Sequence, residues 1–311
     1  MPLVVLKIDV DTFRGTREGV PQLVRLLQKH GAQATFLFSL GPDHTGWALK
    51  RALRPGFFSK VSRTSVVEHY GLKTLSYGVL LPAPDIGLRC REQMRMARAA
   101  GFECGVHTWD HVVWQDHVRR RDAAWTRQAM QHSWQRYQAI FNEAPATHGA
   151  AGWQMNEHAF AQLDAFGLAY ASDGRELLGE DGRLLRADAG PHRLKVGNAI
   201  LNCVQMPTTL PTLDELLGRT IKGVELTRDT VGRFLLGLTE PARDHVYTLH
   251  AELEGQKLAP IFDELLSGWR AQGYTLACMG QYFDQLDPEA LPVRELHWGA
   301  LPGRSGELIA A

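Results

Sequence analysis

No apolar run in this 311-residue sequence reaches the roughly 18 residues that a membrane-spanning helix needs, so any membrane contact would have to be peripheral. Net charge is also missing: 34 lysines and arginines balance 34 aspartates and glutamates. No global field therefore draws the surface onto nucleic acid or an anionic bilayer, and attraction to anions would need a local patch. Cysteine is scarce. Cys90, Cys104, Cys203 and Cys278 are widely spaced, form no C-x-x-C pair and lie in largely apolar runs, which predicts reduced core thiols rather than disulfides. There is no P-loop, dinucleotide fingerprint, internal repeat or low-complexity tract, so nucleotide-dependent readings lose their support. Lys7 and Asp9 interrupt the first apolar run too early for a secretory segment, and the expectation is a cytoplasmic protein whose chain opens with a strand.

What is present is an alternation of strand and helix patterns. A predicted strand over 3–8, a helix over 20–27 ending before Gly31 and a strand over 32–38 make one βαβ unit. Short apolar runs recur at 103–107, 146–149, 168–171, 199–204 and 245–250, with helical patterns over 123–141 and 230–238. This order favours a parallel sheet, open or closed into an α/β barrel, with functional residues at the C-terminal ends of strands. We expect one domain spanning 1–311. A stretch at about 41–86 is too long for an ordinary connection and reads as a functional insertion in which aromatic and aliphatic residues alternate with basic ones. The tail from about 291 shows no period and reads as an irregular wrap.

Three constellations could carry chemistry. Asp9 and Asp11 follow the first strand, and alternation puts both carboxylates on one side. A bound cation would relieve their repulsion and let one serve as ligand and the other as base; solvated loop carboxylates, or a cap for the segment beginning near Thr12, are the alternative. His107 and His111 follow the predicted strand at 103–107 and share one face of a helical turn. Thirteen histidines would place roughly half such a pair by chance, so position at a strand end is what gives this one weight. Two imidazoles and a carboxylate form a facial set that accepts one divalent metal ion, zinc by first choice, with cobalt, manganese or iron also compatible. His250 ends the strongly β-like run at 245–250 and suits a third ligand, an acid or a structural role. Asp173 is placed to orient an imidazole, or is an ordinary turn aspartate before Gly174.

In chain order these residues resemble the polysaccharide deacetylases of carbohydrate esterase family four, over most of the sequence. The paired aspartates and the string His107-Thr108-Trp109-Asp110-His111 match the specific motifs of that family. The resemblance implies a distorted (β/α)7-type barrel. It also implies Asp9 as general base, Asp11, His107 and His111 as metal ligands, His250 as general acid and Asp173 as a charge-tuning aspartate. The third motif of that family usually opens with an arginine that orients the base, whereas the corresponding stretch here runs from Gly149 to Trp153 and has no cation. Gly152 and Trp153 could still line the pocket, and a backbone N–H there could face an oxyanion.

Longer strings, from Ile8 to Pro21, Leu210 to Glu215 and Tyr247 to Gly255, resemble a branch of the family that strips formate from 4-formamido-arabinose on undecaprenyl phosphate. That resemblance implies a role in the aminoarabinose modification of lipid A and polymyxin resistance. It further implies a polyprenyl phosphate-linked sugar as substrate, no nucleic-acid partner, and a peripheral place on the cytoplasmic face of the inner membrane. The insertion would then meet lipid through its apolar residues and phosphate through its basic ones, or else simply cover the barrel. Arg14 and Arg17 are candidate phosphate contacts from charge alone. Three other activities fit the same residues: N-deacetylation of another sugar, non-catalytic binding of a lipid-linked sugar, and a phosphoesterase with paired metals.

Overall fold

The computed structural model describes residues 1–48, 71–239, 243–304 and 306–310. Its core is a parallel sheet wound around one central strand. The strands are β1 Leu3–Val10, β2 Thr35–Ser39, β3 Glu103–Thr108, β4 Tyr170–Ala171, β5 Val204–Gln205, β6 His245–His250 and β7 Thr275–Ala277. β1 pairs with β6 along one edge, while its other edge is shared, Leu3–Val5 by β7 and Lys7–Val10 by β2. β3 follows β2. Backbone hydrogen bonds carry the ring on from β3: Val106 N–H donates to Thr147 O (3.0 Å), Ser172 N–H to His148 O (2.8 Å), Met206 N–H to Ala171 O (2.8 Å) and Thr209 N–H to Val246 O (2.9 Å). The result is the distorted α/β barrel that the alternation of elements predicts.

All eight residues of β1 are buried, as expected for a parallel strand covered on both faces. Val4, Leu6, Ile8 and Val10 point outward into the main core. Leu3 and Val5 point inward and floor the barrel with Val204, Met206, Val246, Ala277 and Met279. By the same alternation Lys7, Asp9 and then Asp11 continue the inner face toward the C-terminal mouth.

The outer layer comprises α1 Val20–His30, α2 Arg91–Ala99, α3 His111–His117, α4 Ala123–Phe141, α5 Glu157–Ala165, α6 Val231–Leu238 and α7 Ala259–Ala271. α1 starts with Pro21 in its first turn and stops at Gly31, which takes the left-handed conformation (φ 57°). α4 is capped by Asp122, whose side chain accepts from Trp125 N–H at 2.9 Å, and ends at left-handed Asn142. All four cysteines are buried and free.

Three expectations are corrected. The predicted strand at 146–149 reduces to a single bridge between Val106 and His148, and the run at 199–204 divides into Ala199–Ile200 and Val204–Gln205. The tail is not an irregular wrap: β8 His297–Ala300 and β9 Glu307–Ala310 form an antiparallel hairpin, and Ile309 O accepts from Arg175 N–H at 2.9 Å. Of the insertion, positions 49–70 lie outside the described residues. Its flanks close on each other, with Trp47 Nε1–H donating to Gly78 O at 2.7 Å. Among the described residues no helix is long and apolar enough to cross a membrane.

Candidate metal and catalytic site

Asp9 at the end of β1 lies in register with His250 at the end of β6, and Asp11 follows one step beyond the strand. β3 ends on His107 and Thr108, and Asp110 then caps α3 by accepting from Val113 N–H at 3.1 Å, which places His111 in the first turn. The two imidazoles converge on one carboxylate. His107 Nε2 is 3.2 Å from Asp11 Oδ1, and His111 Nε2 is 3.4 Å from Asp11 Oδ2. One donor atom from each of the three residues falls within 4.8 Å of the others.

The tautomer of His107 is set from behind, because its Nδ1 lies 2.6 Å from Gly149 O, an acceptor only, so Nδ1 carries the proton and the Nε2 lone pair faces Asp11. Asp11 Oδ1 and His107 Nε2 are buried with no hydrogen-bond partner among the described residues. Two buried lone-pair donors aimed at each other are costly in a protein interior unless a cation lies between them, and this donor set fits one divalent ion with open positions. Burial raises the Asp11 pKa, yet the charge of His111, the largest of the opposing causes, holds it well below the usual carboxylate range.

A second tier of carboxylates shapes the mouth. Glu252 Oε1 accepts from Asp11 N–H (3.0 Å), Thr12 N–H (2.7 Å) and Thr12 Oγ1–H (2.8 Å), so the loop after β6 holds the ligand-bearing end of β1. The two segments touch through glycine: a Cβ on Gly19 would lie 2.0 Å from Ala251 O, and one on Gly15 would lie 1.9 Å from Glu252 Oε1. Burial first, then the Asp11 charge, pushes Glu252 up to about 8. Glu254 Oε2 accepts from His250 N–H at 2.9 Å and, driven by burial, rises to about 7.

His250 Nδ1 is 4.0 Å from Asp214 Oδ1. Burial lowers the His250 pKa, but Asp214 first, then Asp11, Glu254 and Asp9, raise it above the ordinary imidazole value. Next to Asp214, buried Glu215 receives Arg175 Nη1–H at 2.6 Å and Arg304 from the tail hairpin, and against complete burial these two cations hold it at about 2.

The structure brings together Asp9, Asp11, His107, His111 and His250 as the sequence predicts. Asp173 is elsewhere: its Oδ1 lies 2.6 Å from His148 Nδ1 and its Oδ2 accepts from Gln205 Nε2–H at 3.2 Å. It does orient an imidazole, but that of His148, while Asp214 faces His250. Trp153 is buried, and its indole is a platform for Lys7 (5.2 Å), Arg175 (4.6 Å) and Arg304 (4.2 Å). Gly152 and Trp153 both have positive φ, 60° and 53°, and for tryptophan that conformation is strained. Arg14 and Arg17 stand on the exposed turn after β1, where both pair with Glu18.

Sequence reasoning missed Lys7, Asp214, Glu215, Arg175, Arg304, Glu252 and Glu254. Lys7 carried a usable signal, since a charge inside an otherwise apolar parallel strand is rare without a partner. Glu252 and Glu254 follow His250 directly. Arg175 and Arg304 reach Glu215 across 40 and 89 residues of chain, separations that no local pattern reveals.

Residues 2–171 match the polysaccharide deacetylase family. A Shewanella sediminis protein is 32% identical over 305 residues, covering 98% of this chain and 93% of its own. A Wigglesworthia glossinidia brevipalpis protein is 29% identical over 301 residues, covering 94% and 96%. Both are described as probable 4-deoxy-4-formamido-L-arabinose-phosphoundecaprenol deformylase ArnD. Among solved structures, a Mycobacterium smegmatis protein described as a polysaccharide deacetylase aligns with a TM-score of 0.62 over 97% of this chain and 96% of that one, at 17% identity.

Proposed function

Since the chain belongs to the polysaccharide deacetylase family, we propose that it is a metal-dependent hydrolase that removes the N-formyl group of 4-deoxy-4-formamido-L-arabinose carried on undecaprenyl phosphate. The names of the two relatives support the substrate. The observation that carries a hydrolytic reading over mere binding is the pairing in register of Asp9 with His250 beside the Asp11, His107 and His111 trio. A carboxylate and an imidazole outside the ligand set are what amide hydrolysis needs for proton transfer.

Asp11, His107 and His111 would hold one divalent ion, zinc by first choice. When bound, that ion supplies Lewis acidity toward the formyl oxygen and toward the attacking water. Asp9 takes the proton of the water as it adds to the formyl carbon. In the 149–153 stretch the N–H groups of Gly149 and Trp153 are donated to Val106 O and Ala150 O, so a backbone donor to the oxyanion would come from 150–152, where Gly152 packs against the Gln115 side chain. His250 gives a proton to the 4-amino nitrogen as the C–N bond breaks, and formate and the free amino sugar leave.

In this reading the chain works as a single catalytic domain, peripheral on the cytoplasmic face of the inner membrane, in the aminoarabinose modification of lipid A. Arg14 and Arg17 meet the carrier phosphate. Leu72, Val79 and Leu80, all exposed beside positions 49–70, support contact with lipid. The test is formate release from synthetic 4-formamido-arabinosyl polyprenyl phosphate, with the acetamido analogue in parallel and chelated protein as control. Metal-dependent formate with little acetate is expected. Acetate in preference to formate would make the chain a deacetylase of another sugar, and no release of either from metal-loaded protein would remove the amide-hydrolase reading in favour of lipid-sugar binding, or of a phosphoesterase if two metal ions are bound per chain.

A further inference from the structure

Below Asp9 on the inner face of β1, Lys7 is wholly buried. A lysine there must find compensation for the water it loses. Its Nζ lies 3.3 Å from Asp9 Oδ2 and 5.2 Å from the centre of the Trp153 indole. The opposite wall explains how it fits. A Cβ on Gly149 would come within 2.8 Å of Lys7 Cε and 2.3 Å of Leu37 Cδ1, so glycine alone leaves space for the lysine stem.

The contact divides the work of the Asp9 carboxylate. Oδ2 stands at ion-pair distance from Lys7 Nζ, which makes no hydrogen bond among the described residues, whereas Oδ1, buried and likewise without one, stands 3.9 Å from His107 Nδ1. The other deep cation, Arg175, is committed elsewhere: its Nη1–H and Nη2–H both go to Glu215. The 149–153 stretch contributes no cation of its own.

We propose that Lys7 is the positioning residue for the general base: it tethers Asp9 Oδ2 so that Oδ1 is presented to the attacking water. Gly149 and Trp153 are the two walls of the slot that holds it, and Gly149 O at the same time fixes His107. The inference rests on the hydrolase reading with Asp9 as base.

Full-length, metal-loaded protein tests it through a double-mutant cycle of Lys7→Met and Asp9→Asn, with Lys7→Arg as the conservative variant. Methionine keeps the stem volume but leaves the buried Asp9 charge without its partner, so folding and thermal stability of the variant are measured beside its turnover. In the wild-type background Lys7→Met is expected to lower kcat by about 100-fold with KM and metal content unchanged. In the Asp9→Asn background the same change is expected to cost under about 3-fold, because a residue acting through Asp9 has nothing left to act on. Lys7→Arg should retain most of the turnover. Equal losses in both backgrounds, or Lys7→Met at the wild-type rate, overturn the proposal. If Lys7→Met does not fold, the cycle is read with Lys7→Gln by the same criterion. An inactive wild-type protein would instead remove the hydrolase reading on which the inference stands.

Discussion

Asp9, Asp11 and His250 are within a few residues of one another in space yet have separable duties. Asp9→Asn and His250→Ala each remove a proton-transfer group without touching the trio of metal donors. Both should lower kcat by about 10²- to 10⁴-fold while one ion per chain remains bound, as elemental analysis after dialysis would record. Asp11→Ala should reverse the pattern and lose the ion itself; full retention of metal would contradict its place in the trio. These residues were legible in the sequence because strand alternation and the strand-end rule act locally. Asp173 and Lys7 were not, because what decides their roles is the partner across the barrel: His148 rather than His250 for the first, and Asp9 with Trp153 for the second.

The site is held at the level of elements by the loop after β6, which presses Glu252 and Ala251 against the turn after β1. Gly19→Ala puts a methyl group where Ala251 O now stands 2.0 Å away, and backbone on both sides leaves little to yield. An expected loss of about 1–3 kcal/mol in stability, read from the urea midpoint, should be accompanied by weaker metal binding as Glu252 shifts from Asp11 and Thr12. Unchanged metal affinity would show that the ligand end of β1 holds itself. Helix α4 was readable to its ends because Asp122 caps it and its period is long. The segment at 146–149 was not, because its pairing with β3 comes down to Val106 and His148 and its small residues are used for close approach.

At the scale of the whole molecule, two buried histidines make acid a destabilising direction. His192 and His245 are buried, and burial first, then Arg294 and Arg186 for the former and Arg243 for the latter, pulls each down to about 4 from the ordinary 6.5. Between these values the unfolded chain takes up protons that the folded one refuses. The stability is therefore complete above 6.5 and is lost as pH falls toward 4, by up to about 3 kcal/mol for each histidine at ~1.4 kcal/mol per unit. Glu252 and Glu254, raised to about 8 and 7, act in the opposite direction over part of this window, so the histidine share is read by difference: the urea midpoint of the wild type relative to His192→Gln should fall as pH drops from 6.5 toward 4, and a difference that does not change with pH would refute it.

The tail supplies a second test at this scale. Removing 297–311 takes Arg304 from Glu215 and uncovers Trp153, which packs with Leu178, Leu301 and Leu308. Melting several degrees lower and a loss of turnover are expected although every residue of the metal trio remains; a truncated chain as active as the full one would make the hairpin dispensable. Nothing in the tail sequence announced this, since its partners lie over eighty residues away.

The inner ladder of Lys7, Asp9 and Asp11 also bears on how the chain reaches its fold. Were β1 to pair with β6 or β2 one residue out of step, all three charges would turn into the apolar layer beneath the helices, and Ile8 and Val10 would turn into the mouth. Such a misassembled barrel carries so heavy a penalty that it should not accumulate. The groups placed for chemistry thus act as a proofreading device during assembly, and a molecule that completes its barrel has its reactive groups already aligned.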